Sequence, residues 1–255
     1  MTTTEFDHVL RTYGALSDER MEEPWTWRPD GQPLQVRDAL YRSLEEEQAA
    51  ASVAAAGTEA GRVLAIAQRA FGDLRGLLIG LDEHLLDAAP GPGDWSLRET
   101  LSHLLVVELS YDANTGWARR RGEDDPVRIP EHLRPKEPDS GGSLDDVLGR
   151  LARARGQTDT NHRDTRPDEM EHPSIWVDFP VDVRFRLHRF GGHLAEHTIQ
   201  CEKTLGRLDG YRESEARRIV RRISAMRGLH EHLSDRSVLE RLDREHQRRA
   251  GSLAD

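Results

Sequence analysis

Three histidines are the residues of this 255-residue chain whose types and spacing point most directly to chemistry. His193 and His197 stand four residues apart in RFGGHLAEHTIQ, and His103 stands far upstream in LRETLSHLLVVE. Four residues advance an α-helix by roughly 400°, so the two imidazoles would lie on one face, one turn apart. With His103 from a neighbouring helix, they would make a facial set of three. Three protein ligands leave one coordination position of a metal ion open, as is typical of catalytic sites.

The same run also matches the H-x-x-E-H pattern of inverted zincin peptidases, in which Glu196 would act as the general base. Those peptidases are larger α/β proteins, whereas this chain has a helical composition, and His103 is already available as a third ligand. A lone pair of histidines at this spacing is also common on helices where it binds nothing. The interpretation as a metal site therefore depends on the third histidine, His103, and it is the interpretation that we favour.

Other polar side chains lie close to these histidines along the predicted helices. Arg189, one turn before the pair, would bind an anionic group such as a substrate carboxylate, or else form a surface ion pair. Gln200, just after the pair, would hydrogen-bond a ligand imidazole, or else cap an interhelical contact. Glu99 stands one turn before His103 and would orient it, although a capping box with Ser96 already explains that glutamate. The sequence identifies no catalytic residue beyond these candidates.

The composition predicts an all-α protein. Hydrophobic residues make up 36% and charged residues 32% of the chain, and long β-branched runs are nearly absent. The net charge of −10 argues against a nucleic-acid partner, because phosphate neutralisation requires a basic face. The single cysteine, Cys201, excludes an intramolecular disulfide and is expected in the core. Because no signal peptide or long apolar run is found, we expect a cytoplasmic protein with no membrane partner.

Helical periodicity predicts the elements that would position these side chains. A polar, Pro-rich loop over 122–142 is long enough to be a lid or a crossover. A second loop, over 166–180, precedes the histidine helix. Helices are expected over residues 4–21, 34–56, 63–86, 97–121, 143–158, 183–205, 213–227 and 235–249.

The predicted helix over 213–227 is rich in arginine. Its basic side chains would dock an acidic partner or a phosphate, or form a solvated face paired with the acidic residues 45–47 of the second helix. We favour the solvated face. The arginines are Arg217, Arg218, Arg221, Arg222 and Arg227.

Two segments, GLDEHLLDAAPGPGDWSLRETLSHLLVVE and RFGGHLAEHTIQCEKTL, together with SLDDVLGRLARAR between them, resemble the DinB/YfiT-like superfamily of metal-binding bundles. The resemblance implies an up-down four-helix bundle with one long crossover over residues 58–206. Helical extensions at 1–57 and 207–255 would pack on the bundle or build a homodimer. In the family, one histidine of the second helix and an HxxxH pair of the fourth hold the metal. These ligands correspond here to His103, His193 and His197.

The resemblance also implies a cofactor and a class of activity. One divalent metal ion is expected, zinc or nickel, since both are seen in the family. Members with known activity are often thiol-dependent transferases or isomerases, and the Ala- and Arg-rich composition is typical of high-GC bacteria, where mycothiol would be the thiol. The leading expectation is therefore such an enzyme acting on a small electrophile. A non-catalytic, stress-associated metal- or ligand-binding protein and a metal-dependent hydrolase stay open as alternatives.

Overall fold

The computed structural model describes residues 3–25, 34–54 and 57–253 and confirms the all-α class. The connection between the helices predicted over 4–21 and 34–56, and the end of the second of them, fall partly outside these residues. Within them, no helix combines the length and apolarity that a bilayer span requires. The strands form two antiparallel hairpins, β1 (Pro24–Trp25) with β2 (Leu34–Gln35) and β3 (Pro173–Trp176) with β4 (Phe179–Asp182). The helices are α1 (Thr3–Gly14), α2 (Asp18–Glu22), α3 (Val36–Val53), α4 (Glu59–Leu78), α5 (Leu97–Arg120), α6 (Leu144–His162), α7 (Val183–Leu205), α8 (Glu215–His230) and α9 (Arg236–Gly251).

Two of the predicted helices differ most from the bounds in the structure, while the others shift by a few residues at most. The prediction of one helix over 4–21 is wrong, because Ser17 begins a new helix by accepting a hydrogen bond from the backbone N–H of Arg20. The helix predicted over 63–86 also ends early, at the last residue of α4. Gly80 follows it with a φ of +69°, a left-handed conformation that glycine adopts without steric cost. The bounds of α5 and α7 agree with the prediction.

The loop predicted over 166–180 is only partly a loop, because residues 173–182 form the β3–β4 hairpin. Its sequence, PSIWVDFPVD, is rich in β-branched and aromatic residues, which favour strands. The tight turn of the hairpin places Val177 at a φ of 56°. The second strand ends at Asp182, whose side chain accepts a hydrogen bond from the backbone N–H of Phe185 at 2.7 Å. The hairpin therefore leads directly into the first turn of α7.

The chain divides into two compact units, which we call the bundle unit and the terminal unit. The bundle unit comprises residues 56–71 and 83–208, and the terminal unit comprises residues 1–55, 72–82 and 209–255. In the bundle unit, α5 packs against both α6 and α7. One apolar cluster of the bundle unit consists of Ala60, Val63, Leu64, Ala67, Ala118, Met170, Val183, Leu187 and Phe190.

A buried ion-pair network fixes α5 within the bundle unit. Arg155 of α6 is fully buried and pairs at 2.6 Å with both Glu108 of α5 and Asp159 of its own helix. Its Nε also donates to the side chain of Gln68 on α4. Because Glu108 follows His103 by five residues on α5, this network also sets the rotation of the helix that carries His103.

The terminal unit contains a buried carboxylate at the meeting point of three helices. Glu47 of α3 accepts hydrogen bonds from Arg227 and His230 of α8 and from His246 of α9, at 2.8, 2.6 and 2.7 Å. The prediction that arginines of the 213–227 helix pair with acidic residues of the second helix is thus correct for Arg227. The prediction of a solvated face is wrong for this residue, which is 5% exposed.

Candidate metal centre

The side chains of the three histidines converge from α5 and α7. A capping box at Ser96 fixes the first turn of α5, the helix of His103. The other two histidines come from α7, one turn apart. The Nε2 atom of His193 lies 3.2 Å from Nε2 of His103 and 3.1 Å from Nε2 of His197. The ligand atoms of all three lie within 4.8 Å of one another.

The spacing of these nitrogen atoms fits a single metal ion. Zinc binds imidazole nitrogen at about 2.0–2.1 Å, so two nitrogens 3.1–3.2 Å apart would subtend an angle of roughly 100° at the ion. That angle lies between octahedral and tetrahedral values. Three neutral imidazoles whose lone pairs face one another, without a metal, would repel rather than bind. The donor set therefore suits a divalent transition-metal ion.

Hydrogen bonding and burial keep the imidazoles in the state that ligation requires. Nδ1 of His197 lies 2.7 Å from Oε1 of Gln200, an acceptor, so the proton is on Nδ1 and the lone pair is on Nε2. Burial, together with the neighbouring His197 and His103, lowers the pKa of His193 to about 3. Burial also lowers the pKa of His103. Both rings are thus neutral near pH 7 and free to donate a lone pair.

The histidines lie in a pocket of about 640 Å³ within the bundle unit. The long crossover between α5 and α6 and the β3–β4 hairpin contribute to its walls, so both segments predicted as loops reach the site. The pocket is lined by His103, Val107, Ser110, Tyr111, Asn114, Arg128, Ile129, Arg134, Ile175, Trp176, Val177, Arg186, Arg189, His193, Glu196 and His197.

Comparison with known proteins agrees with this geometry. A model of the DinB superfamily matches residues 67–201, which is more than half of the chain and includes all three histidines. The chain belongs to the DinB superfamily. No curated protein matches it significantly.

In this DinB-superfamily chain, Arg189 lies at the pocket wall and forms an ion pair, the second of its two predicted roles, while its binding of an anionic group stays a prediction. Its Nη2 pairs with Glu196 at 2.8 Å, and its guanidinium lies 5.5 Å from the ring centre of Trp176. Its Nε is buried and has no hydrogen-bond partner within the described residues. Glu196 therefore takes only part of the hydrogen-bonding capacity of Arg189.

Glu99 and Gln200 do not line the pocket, and of these two only Gln200 hydrogen-bonds one of the three histidines. The carboxylate of Glu99 accepts hydrogen bonds from the backbone N–H and the hydroxyl of Ser96, and these bonds lower its pKa. The capping box thus engages its carboxylate at the start of α5. The ring next to His103 is instead that of Trp95, whose centre lies 5.4 Å from that of the imidazole.

Arg186 also lines the pocket, although no feature singled out in the sequence pointed to it. Arg186 lies seven residues before His193 on α7, and seven residues return a helix to within about 20° of the same face. Extending the histidine face by two turns, rather than the single turn that reaches Arg189, would have included it. Two further pocket arginines, Arg128 and Arg134, come from the crossover, where no periodicity indicates their direction.

Proposed function

We propose that this protein is a metal-dependent enzyme of the thiol-dependent transferase or isomerase type, acting on a small electrophile. The observation that carries the proposal is the convergence of three Nε2 atoms at the wall of a pocket of about 640 Å³. A pocket of this size accommodates a small organic molecule. Membership of a superfamily with thiol-dependent members supports the type of reaction.

The thiol must come from outside the chain. Cys201 is the only cysteine in the sequence, and it is fully buried on α7. Burial raises the pKa of its thiol to about 12, so it cannot supply a thiolate at neutral pH. A low-molecular-weight thiol, mycothiol by the composition argument above, is therefore the proposed co-substrate.

The histidines and the side chains around them would have different roles in such a reaction. His103, His193 and His197 would hold the metal, and Gln200 keeps the lone pair of His197 directed at it. When bound, a divalent ion would lower the pKa of a coordinated thiol, so that the thiolate forms at neutral pH. Trp176 and Tyr111 wall the pocket and are joined by a hydrogen bond from the indole N–H to the phenol oxygen at 3.3 Å. These rings would exclude water from one side of a bound reactant.

The first experiment measures the metal content of protein purified without a metal-affinity tag. We expect about one divalent ion per chain in the wild type and loss of the ion in His193→Ala, because two imidazoles hold a metal more weakly than three. His188→Ala is the matched control, since His188 is an exposed histidine of the same helix that does not line the pocket. Full metal content in His193→Ala would overturn the site.

The second experiment measures consumption of mycothiol with 1-chloro-2,4-dinitrobenzene as the electrophile. The proposal expects turnover in the wild type and in His188→Ala, and its loss together with the metal in His193→Ala. A fully loaded protein that consumes none of a panel of thiols and electrophiles would instead support the binding-protein alternative. Turnover of an ester that requires the metal but no thiol would support a hydrolase.

A further inference from the structure

One guanidinium in the pocket has no carboxylate partner. Arg186 is 5% exposed, and its Nε and Nη2 donate to the hydroxyl of Ser174 and the carbonyl of Ile175 on β3. Both acceptors are neutral. Within the described residues, no carboxylate forms an ion pair with Arg186, and its Nη1 donates to no other group. Other buried arginines of the chain, such as Arg155 and Arg227, each have a carboxylate within 3 Å.

An arginine in this position stays positively charged. Burial lowers the pKa of Arg186 to about 10, which still leaves the guanidinium protonated at neutral pH. A buried charge without a counter-ion is unfavourable, and proteins usually pair it. Since the described residues supply no counter-ion, a negatively charged group of a ligand would complete the environment of Arg186.

The other charged side chains that line the pocket are also mainly positive. Four arginines line it, and Glu196 is the single carboxylate among the lining residues. That glutamate pairs with Arg189 and has a side chain 60% exposed. The chain as a whole carries a net charge of −10, so this local excess of positive charge is opposite to that of the molecule. A pocket of one sign attracts ligands of the other.

We infer that Arg186, assisted by Arg189, forms an anion subsite, and that a reactant of the histidine site carries a carboxylate. The inference rests on the proposed function in treating the ligand as a reactant at the histidines. Arg186 and His193 are separated by seven residues, which correspond to about 10 Å along the helix axis. The reactant is therefore an acidic small molecule whose carboxylate is remote from its reacting end. A guanidinium can bind such a group through two parallel hydrogen bonds.

The test measures binding to the full-length protein by calorimetry, with glutarate as the probe and dimethyl glutarate as its uncharged counterpart. The His193→Ala variant is used beside the wild type, so that binding of the carboxylate to a metal cannot produce the signal. We expect glutarate to bind at least about tenfold more tightly than the diester in both proteins, because only the carboxylate forms a charge-assisted hydrogen bond with the guanidinium. Equal binding of the two probes would overturn the inference, even if the metal site is correct.

Substitutions assign the effect to Arg186. Arg186→Met should weaken glutarate binding by about tenfold or more, and Arg186→Lys should restore part of it, because the charge returns without the planar fork. Arg184→Met is the matched control for net charge, since Arg184 belongs to α7 but pairs with Glu59 at 2.8 Å and does not line the pocket. If the two methionine variants bind glutarate equally, the subsite is not at Arg186.

The carboxylate can belong to the thiol or to the electrophile, and binding calorimetry distinguishes these two cases. In the His193→Ala background, glutathione is compared with its diethyl ester. A preference for glutathione that Arg186→Met removes assigns the carboxylate to an acidic thiol. The absence of that preference, with glutarate still bound through Arg186, assigns it to the electrophile and is compatible with mycothiol, which has no carboxylate. Metal loading measured on the same preparations tests the proposed function separately.

Discussion

Gln200 sets which nitrogen of His197 is available to a metal. Its side-chain oxygen holds the proton on Nδ1 and so leaves the lone pair on Nε2, the atom that faces the other two histidines. Partners of this kind fix the tautomer and the ring orientation of a ligand. The effect depends on a single hydrogen bond, so it can be removed without touching the ligands.

Gln200→Leu should weaken metal affinity by about 10- to 100-fold, because His197 loses the acceptor that fixes its tautomer. Gln200→Glu should preserve or increase affinity, since a carboxylate accepts the same hydrogen bond more strongly. Competition with a coloured chelator measures both. Equal affinity in the leucine variant and the wild type would show that the hydrogen bond does not tune the site.

Cys201 should not react with an aromatic disulfide reagent at pH 8 in the folded protein, because its thiol is fully buried and its pKa is raised to about 12. The thiol should react at once in guanidinium chloride, where burial is lost. Cys201→Ala should keep full thiol-dependent activity, with a loss of stability of about 1 kcal/mol from the smaller core side chain. Loss of activity with retained metal would mean that the chain uses its own thiol.

At the scale of elements, two glycines let α4 and α8 approach each other in the terminal unit. A Cβ at Gly72 would lie 2.4 Å from the carbonyl oxygen of Ser224, and one at Gly76 would lie 2.5 Å from the Cα of Arg221. Both neighbours are backbone atoms, which cannot move aside as a flexible side chain does. The two helices are therefore in contact through their main chains.

Gly72→Ala should lower the free energy of unfolding by about 1–3 kcal/mol through this overlap, even though alanine is the better helix former. The control is Gly156→Ala in α6, where an added Cβ meets nothing within 4 Å. That variant should gain up to about 1 kcal/mol from helix propensity alone. Thermal and urea unfolding of both variants measure the difference, and equal shifts would contradict the close approach.

Glu47 makes the junction of α3, α8 and α9 sensitive to acid. Burial raises the pKa of this carboxyl, but hydrogen bonds from His230, His246 and Arg227 lower it more, so the net pKa lies well below its usual range. Its stabilising contribution is thus complete above the unfolded-state value of about 4.3 and declines as the pH falls below it.

Glu47→Gln should lower the free energy of unfolding by about 3–5 kcal/mol at pH 7, because Arg227 loses a buried partner. The variant should also lose part of the acid dependence below about pH 4.3, since its amide does not titrate. Urea unfolding at pH 7, 5, 4 and 3 measures both effects. A wild type and variant with parallel stability curves over this range would contradict the role of Glu47.

At the scale of the whole molecule, the terminal unit joins both ends of the chain. One of its apolar clusters includes Leu10 of α1 and Leu40 of α3 together with Ile219 and Ile223 of α8. Residues close to each end therefore share one core, and neither end contains that core alone. Ion pairs reinforce this arrangement, since Arg249 of α9 binds the carboxylate of Glu46 on α3 at 2.7 Å.

Removal of residues 209–255 should expose the core face of α1 and α3, because α8 and α9 supply its other side. We expect α1 and α3 to become sensitive to trypsin in this truncated chain, whereas both helices should resist digestion in the full chain. Mass spectrometry of the fragments locates the cuts. Continued protection of the two helices would mean that they fold without the C-terminal ones.

The sequence predicted those features that depend on local periodicity. The apolar pattern and the Ser96 cap located α5, and the four-residue spacing placed His193 and His197 on one face. The pairing of the two chain ends was not predictable, because Glu47 and its partner His246 are separated by 199 positions and no local pattern links them. The hydrogen bonds from Arg186 to Ser174 and Ile175 were not predictable either, because they depend on the β3–β4 hairpin. Most of that hairpin lies in the segment 166–180, whose three prolines and polar residues had indicated a loop.

The contact between Trp95 and His103 should make the tryptophan fluorescence of this protein sensitive to a metal ion bound by the histidines. An indole ring centred 5.4 Å from an imidazole of the cluster would have its fluorescence quenched by a bound nickel or cobalt ion, whose partly filled d shell accepts the excitation. Zinc, with a filled d shell, would leave the emission nearly unchanged. Titration of the metal-free chain with each ion would thus distinguish nickel or cobalt from zinc by the loss of tryptophan emission, without a label.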